Sequence, residues 1–237
     1  GCGGKNVKPV LDAEDQLKLA MQLYEKGKYF QSESEFQKFI YNYPGNNAVD
    51  TAQYYLAMSY YKDKDYALAA GEFNKILSLF QSSVFTDDAQ YRVAMCHYHQ
   101  SPHYALDQTD TELALDGFAT FLDYYPFSDF ADSAKIHLQE MRDKLAKKAF
   151  KTARLYQKLN RYDAAILYYN KVVEYYPESS YAAESLYRKA ECYVKLEKYE
   201  DARQAFFEFI DLFNEHELYE DAAKELRRLE EMPRAEG

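Results

Sequence analysis

A small residue returns every 37 positions along this chain, and that period constrains the fold more than any other feature. Ala20, Ala57 and Ala94 sit 37 apart, as do Ala153 and Ala190. Three residues after each stands Leu23, Tyr60, His97, Tyr156 or Tyr193. A second small residue follows in each repeat: Ser32, Ala69, Ala114, Ala165, Ala202. Four residues beyond it comes Phe36, Phe73, Phe118, Tyr169 or Phe206, and three further Phe39, Ile76, Phe121, Val172 or Phe209. Tyr29, Tyr66, Tyr162 and Tyr199 mark a hairpin turn, and Pro44, Pro126 and Pro177 end three repeats where Gln81 and Asn214 end two. A period of this length is the mark of stacked supersecondary units. Small residues let two helices approach closely, and aromatics fill the space between neighbouring hairpins. Only 8 Gly and 6 Pro punctuate 237 residues, too few turns for a β-sandwich or barrel.

The small–aromatic–small–aromatic–Pro order resembles the tetratricopeptide repeat, whose usual length is about 34 residues. The expectation is an all-α superhelix of five helical hairpins plus a C-terminal capping helix. Two insertions break the period: eight residues within Gln100 to Asp110, and fourteen before the first helix of the fourth repeat. Phe127 to Leu159 contains no Gly or Pro, which predicts one helix over roughly 129–159, about 45 Å long. The amphipathic stretch Glu217 to Glu231 should cap the open end of the stack. The organisation read from this is a tether over 1–11, a peptide-binding half over 12–127 with repeats one to three, and a partner-docking half over 128–237 with repeats four and five.

Nothing in the sequence carries catalytic chemistry. No nucleophile motif, phosphate loop or zinc signature is present, so the chain reads as a non-enzyme that uses no cofactor and no metal. Cys96, His97, His99 and His103 are the nearest approach to a ligand set, but His97 and His99 are two apart and point away from each other on a helix. Cys96 and Cys192 recur two residues after the alanine of their repeats and read as buried thiols. Acid pairs such as Asp87-Asp88 and Glu230-Glu231 fit helix starts and outward faces. A formal charge of −10 argues against nucleic acid, and no run of about 18 apolar residues exists to span a membrane.

Cys2 lies outside the repeats, before Gly3-Gly4-Lys5-Asn6-Val7-Lys8-Pro9, a stretch that reads as a tether. A small residue followed by Cys is the arrangement of a bacterial lipoprotein, in which several acyl chains give a stable anchor. A terminal Cys without a role is the alternative.

Such a cysteine followed by five repeats resembles the BamD family, repeat-built lipoproteins of the outer-membrane β-barrel assembly machinery. The resemblance runs from Cys2 to about Ala223. Its more specific parts are Ser101-Pro102 followed by Asp107-Gln108-Thr109-Asp110-Thr111, the run Met141-Arg142-Asp143-Lys144-Leu145-Ala146, and the repeat ends Tyr124-Tyr125-Pro126 and Tyr175-Tyr176-Pro177. The resemblance implies a lipid-anchored protein on the periplasmic face of the outer membrane. It further implies binding to the POTRA domains of BamA and to other Bam subunits, and help in delivering unfolded outer-membrane proteins. Another periplasmic repeat lipoprotein, serving envelope or division proteins, is the alternative.

Two surfaces are expected to do the binding. In repeats one to three, positions i, i+4 and i+7 of the first helix share a face: Leu17, Met21, Tyr24; Tyr54, Met58, Tyr61; Tyr91, Met95, Tyr98. Met is flexible and suits surfaces that accept varied partners. This wall would take the C-terminal segment of an outer-membrane protein with its alternating aromatics, although packing between helices would also explain it. The same positions in repeats four and five are Phe150, Arg154, Gln157 and Tyr187, Glu191, Val194. The second surface is a basic stripe on the long helix, Lys144, Lys147, Lys151, Arg154 and Lys158, spaced by three or four. It would dock a folded acidic partner, with anionic lipid headgroups or plain solvation as the competing readings.

Overall fold

The protein is described by a computed structural model over residues 11–232. Cys2 and the rest of the expected tether before Leu11 lie outside the described residues. Eleven helices and no strand occur within that range: α1 (Ala13–Glu25), α2 (Tyr29–Asn42), α3 (Val49–Lys62), α4 (Tyr66–Leu79), α5 (Thr86–Gln100), α6 (Thr109–Tyr124), α7 (Ala131–Lys158), α8 (Tyr162–Tyr175), α9 (Ala182–Lys195), α10 (Tyr199–Leu212) and α11 (Tyr219–Glu230). The first ten pair as five hairpins, and α11 follows them. The fold is the all-α repeat array that the period predicts, with the long helix as α7 and the final amphipathic segment as α11.

The repeat residues are where the core is. Ala20, Ala57, Ala94, Ala153 and Ala190 are 0% exposed, as are Ser32, Ala69, Ala114, Ala165 and Ala202. The aromatics that follow, Phe36, Phe73, Phe118, Tyr169 and Phe206, are equally buried. With no Cβ branch at the alanines, the two helices of a hairpin close on each other and the rings fill the joint with the next hairpin.

Four hairpins turn in the same way. Gly27, Lys64, Asn160 and Glu197 all adopt positive φ, at 69, 68, 57 and 58°. Each turn closes with a backbone bond spanning five residues, Lys28 N–H to Leu23 O in the first and Asp65 N–H to Tyr60 O in the second. This is the Schellman arrangement, in which a left-handed residue after the helix satisfies two orphan carbonyls. The third hairpin differs, since residues 101–108 separate α5 from α6.

The chain packs as two compact units. The first contains residues 11–101 and 109–138; the second contains 102–108 and 139–232. The division falls inside α7. In the first unit, Tyr54 stacks on Phe85 at 4.2 Å and Tyr91 on Phe130 at 4.7 Å, each ring joining one repeat to the loop before the next first helix. The 102–108 insertion folds as part of the second unit. Lys148 Nζ donates to Leu106 O at 2.7 Å, and the Lys147 ammonium sits 4.8 Å from the Tyr104 ring centre. Gln108, 5% exposed, donates from Nε2 to the carbonyls of His103, Leu106 and Asp107 and so holds the loop in shape.

Candidate functional site

Each unit presents a wall made from the first helices of its repeats, and the two walls differ in chemistry. Stepping by 37 residues lays the positions out. Met21, Met58 and Met95 in the first unit share a repeat position with Arg154, Glu191 and Arg228 in the second.

In the first unit the wall is aromatic. Of the nine residues expected there, Tyr54, Met58, Tyr91 and Met95 are buried at 6–8% exposure. Leu17, Met21, Tyr24, Tyr61 and Tyr98 are half-buried and keep part of their surface in solvent. Among these rings lies a charged pair. Arg92 Nε donates to Asp88 Oδ1 at 2.9 Å, and Tyr54 donates its hydroxyl to Asp88 Oδ2. The Arg92 guanidinium sits 5.4 Å from the Tyr61 ring centre and 5.6 Å from that of Phe130, within reach of cation–π attraction. Burial first, and then the Asp88 carboxylate, pushes the Tyr54 hydroxyl well above its ordinary pKa, so Tyr54 stays a neutral donor. Tyr61 in turn meets His99 Nε2 at 2.8 Å.

Asp88 corrects one expectation. It stands in the first turn of α5, as an acid serving the helix dipole would. Its carboxylate nevertheless faces the wall and is occupied by Arg92 of its own helix and by Tyr54, which reaches it from α3. Asp87, also half-buried, accepts from Ser128 Oγ at 2.8 Å.

In the second unit the wall is charged and hollow. A cleft of about 580 Å³ is lined by Arg154 and Lys158 of α7, Arg188, Glu191 and Lys195 of α9, and Glu225 and Arg228 of α11, with Tyr187, Val194 and Phe206 also reaching it. Ion pairs tie down the arginines. Arg154 pairs with Glu184 at 2.9 Å, Arg188 with Glu191 at 2.9 Å and Arg228 with Glu225 at 2.8 Å. Sequence reasoning placed only Arg154 and Lys158 near a binding surface. The missed partners were readable from the period, since 154, 191 and 228 are 37 apart and so are Lys158 and Lys195.

The basic stripe of α7 is not one uniform face. Lys151 and Lys158 are exposed, whereas Lys144, Lys147 and Arg154 are half-buried. Burial pushes the Lys144 ammonium below its usual pKa, with Glu140 opposing the shift. Lys147 leans on Tyr104 of the insertion, and Arg154 turns into the cleft.

The remaining candidates for chemistry have structural partners. His97 Nδ1 meets Asp110 at 2.9 Å across the third hairpin. Cys96 and Cys192 are buried thiols, each pushed up to about 12 chiefly by that burial. Among the described residues, no three His, Cys, Asp or Glu side chains converge as metal ligands, and no helix is long and apolar enough to cross a membrane.

Residues 12–208 match the family model described as YfiO, outer membrane lipoprotein. Over 98 residues the chain is 31% identical to the outer membrane protein assembly factor BamD of Caulobacter vibrioides, covering 41% of this chain and 32% of that protein. It is 29% identical over 98 residues to the BamD of Rickettsia prowazekii, covering 41% of this chain and 39% of the relative. The matched stretch thus spans well under half of either relative. Among solved structures, a tetratricopeptide repeat protein from Parabacteroides merdae aligns over 92% of this chain and 73% of its own, with TM-score 0.40 at 15% identity. MamA protein aligns over 84% and 90%, with TM-score 0.38 at 14% identity.

Proposed function

The chain belongs to the YfiO family of outer membrane lipoproteins, and on that premise we propose that it is a non-enzymatic scaffold assisting the assembly of β-barrel proteins into the outer membrane. The observation that carries this reading is the family match itself, which spans 12–208 and takes in the first unit's wall and much of the second's. Two relatives that carry the name assembly factor support it. In this reading the protein works on the periplasmic face, held by lipid on Cys2.

The two walls divide the labour. The half-buried apolar side chains of the first unit, Leu17 and Met21 with the rings of Tyr24, Tyr61 and Tyr98, receive the C-terminal segment of an unfolded outer-membrane protein. Its alternating aromatic side chains meet rings of like size, and the burial of such pairs supplies the affinity. The exposed lysines of α7, Lys151 and Lys158, with the rest of the stripe behind them, dock the POTRA domains of BamA through complementary charge. Other Bam subunits join the same assembly.

Affinity capture from native membranes tests the reading. The full chain, tagged and expressed in its own host, should bring down the barrel subunit and its POTRA domains as the dominant partner. Reversing Lys151 and Lys158 to Glu should lower that capture. Recovery of cell-wall or division enzymes in place of a barrel protein would replace the proposal with an envelope adaptor.

A further inference from the structure

The cleft of the second unit reverses the charge of the molecule around it. Five cations line it, Arg154, Lys158, Arg188, Lys195 and Arg228, against the carboxylates of Glu191 and Glu225. The chain as a whole carries a formal charge of −10. A concave site with an excess of one sign of charge concentrates ligands of the other.

The cations fall into two kinds. The arginines are fixed: Glu184 holds Arg154 at 2.9 Å and Arg188 at 3.3 Å, and Glu225 holds Arg228 at 2.8 Å. Lys158 and Lys195 are exposed and form no ion pair among the described residues. They hold the same repeat position at the ends of α7 and α9, and both line the cleft. Val194, half-buried, and the small exposed part of Tyr187, a ring 7% exposed, give the cleft its apolar surface.

This mixture selects among anions. A phosphate is gripped by arginine forks that converge on it, and the three arginines here are already turned to Glu184, Glu191 and Glu225. A bilayer is flat and cannot enter a hollow. An extended peptide has the right form, because its side chains alternate and can present carboxylates to one side and apolar groups to the other.

We propose that the cleft between α7, α9 and α11 is a binding site for an extended acidic polypeptide segment, with carboxylates on Lys158 and Lys195 and apolar side chains against Tyr187 and Val194. This goes beyond the docking of a folded barrel subunit. It is tested on the isolated chain with a synthetic peptide, so it stands or falls separately from that docking.

The probe is a fluorescein-labelled peptide of alternating Glu and Leu, read by anisotropy with the purified full chain. Binding should weaken at least ~10-fold when Lys158 and Lys195 are both changed to Glu, and should fall as salt screens the pair. A Gln-for-Glu version of the peptide should bind at least ~10-fold more weakly to the unaltered chain. Changing Lys28 and Lys171 to Glu makes the same change in net charge on exposed sites outside the cleft and should leave affinity within about twofold. Lys158→Gln with Lys195→Gln keeps the surface free of new charge and should also weaken binding. Equal loss in the control pair, equal binding of the Gln peptide, or displacement by inorganic phosphate at peptide-like concentrations would overturn the proposal.

Discussion

Gly117 and Ala94 face each other across the third hairpin so closely that a β-carbon on Gly117 would stand 2.9 Å from Ala94 Cβ and 3.2 Å from Ala94 Cα. Two effects of a Gly117→Ala change oppose each other. Alanine favours a helix over glycine by about 1 kcal/mol. The added methyl must displace a backbone atom that cannot swing aside, and such overpacking costs roughly 1–3 kcal/mol. The rigid contact sets the sign, so Gly117→Ala should lower unfolding stability by up to about 2 kcal/mol. Gly71 is the control: it lies in α4, and a β-carbon there meets nothing within 4 Å. Gly71→Ala should raise stability by about 0.5–1 kcal/mol in the same denaturant titration.

Glu33 gives the fold a pH dependence of defined sign. It is 7% exposed, and its Oε1 has no hydrogen-bond partner. Burial first, then the nearby Asp63 and Asp65, raise its pKa to about 7 from 4.5. The folded state therefore binds a proton that the unfolded state releases between these values. Its contribution is fully present below about pH 4.5 and is lost as pH rises through 7. The loss is on the order of 1–3 kcal/mol. Glu33→Gln should remove it, so the variant gains on the parent at pH 8 and shows little gain near pH 4. Equal melting differences at both pH values would show that Glu33 is not the titrating group.

Much of this fold was legible because the repeat residues answer a purely local demand. Ala20 and its equivalents must be small for two helices to touch, and the rings that follow must fill what remains. Those positions are all fully buried, and α7 falls within two residues of its predicted ends. The binding walls were less legible. The spacing that places Leu17, Met21 and Tyr24 on one face says nothing of what covers that face. Leu17 and Met21, in the first described repeat, stay half open, whereas Tyr54, Met58, Tyr91 and Met95 in the next two are covered. The insertion was legible as an interruption but not as a structure, since its partner Lys148 stands 42 residues from Leu106.

The insertion should respond to its two tethers separately. Gln108 supplies three bonds to carbonyls of the loop, and Lys148 reaches it from α7. Losing the amide of a buried, bonded side chain costs about 1–3 kcal/mol. Gln108→Ala should therefore speed amide exchange across 103–107 by about tenfold or more. Lys148→Met keeps the aliphatic stem and removes the ammonium, so its effect should centre on Leu106. The first helices of the first unit should keep their protection in both variants.

The aromatic wall of the first unit separates packing from binding at single methionines. Met58 is 7% exposed, while Met21, at the same repeat position in the first described repeat, is half-buried. An aspartate at Met58 buries an unpaired charge among Tyr54, Tyr61 and their neighbours, and should lower stability by several kcal/mol. Any loss of peptide binding in Met58→Asp would then follow from unfolding. Met21→Asp can keep its carboxylate in water, so the fold should survive with a loss under about 1 kcal/mol. If this wall receives an alternating aromatic peptide, Met21→Asp should weaken that peptide about tenfold or more while its melting curve stays near the parent's. Tyr24→Ala, which removes a half-buried ring beside it, should act in the same direction. Unchanged affinity in both folded variants would assign the wall to packing between helices and leave the charged cleft of the second unit as the surface to test.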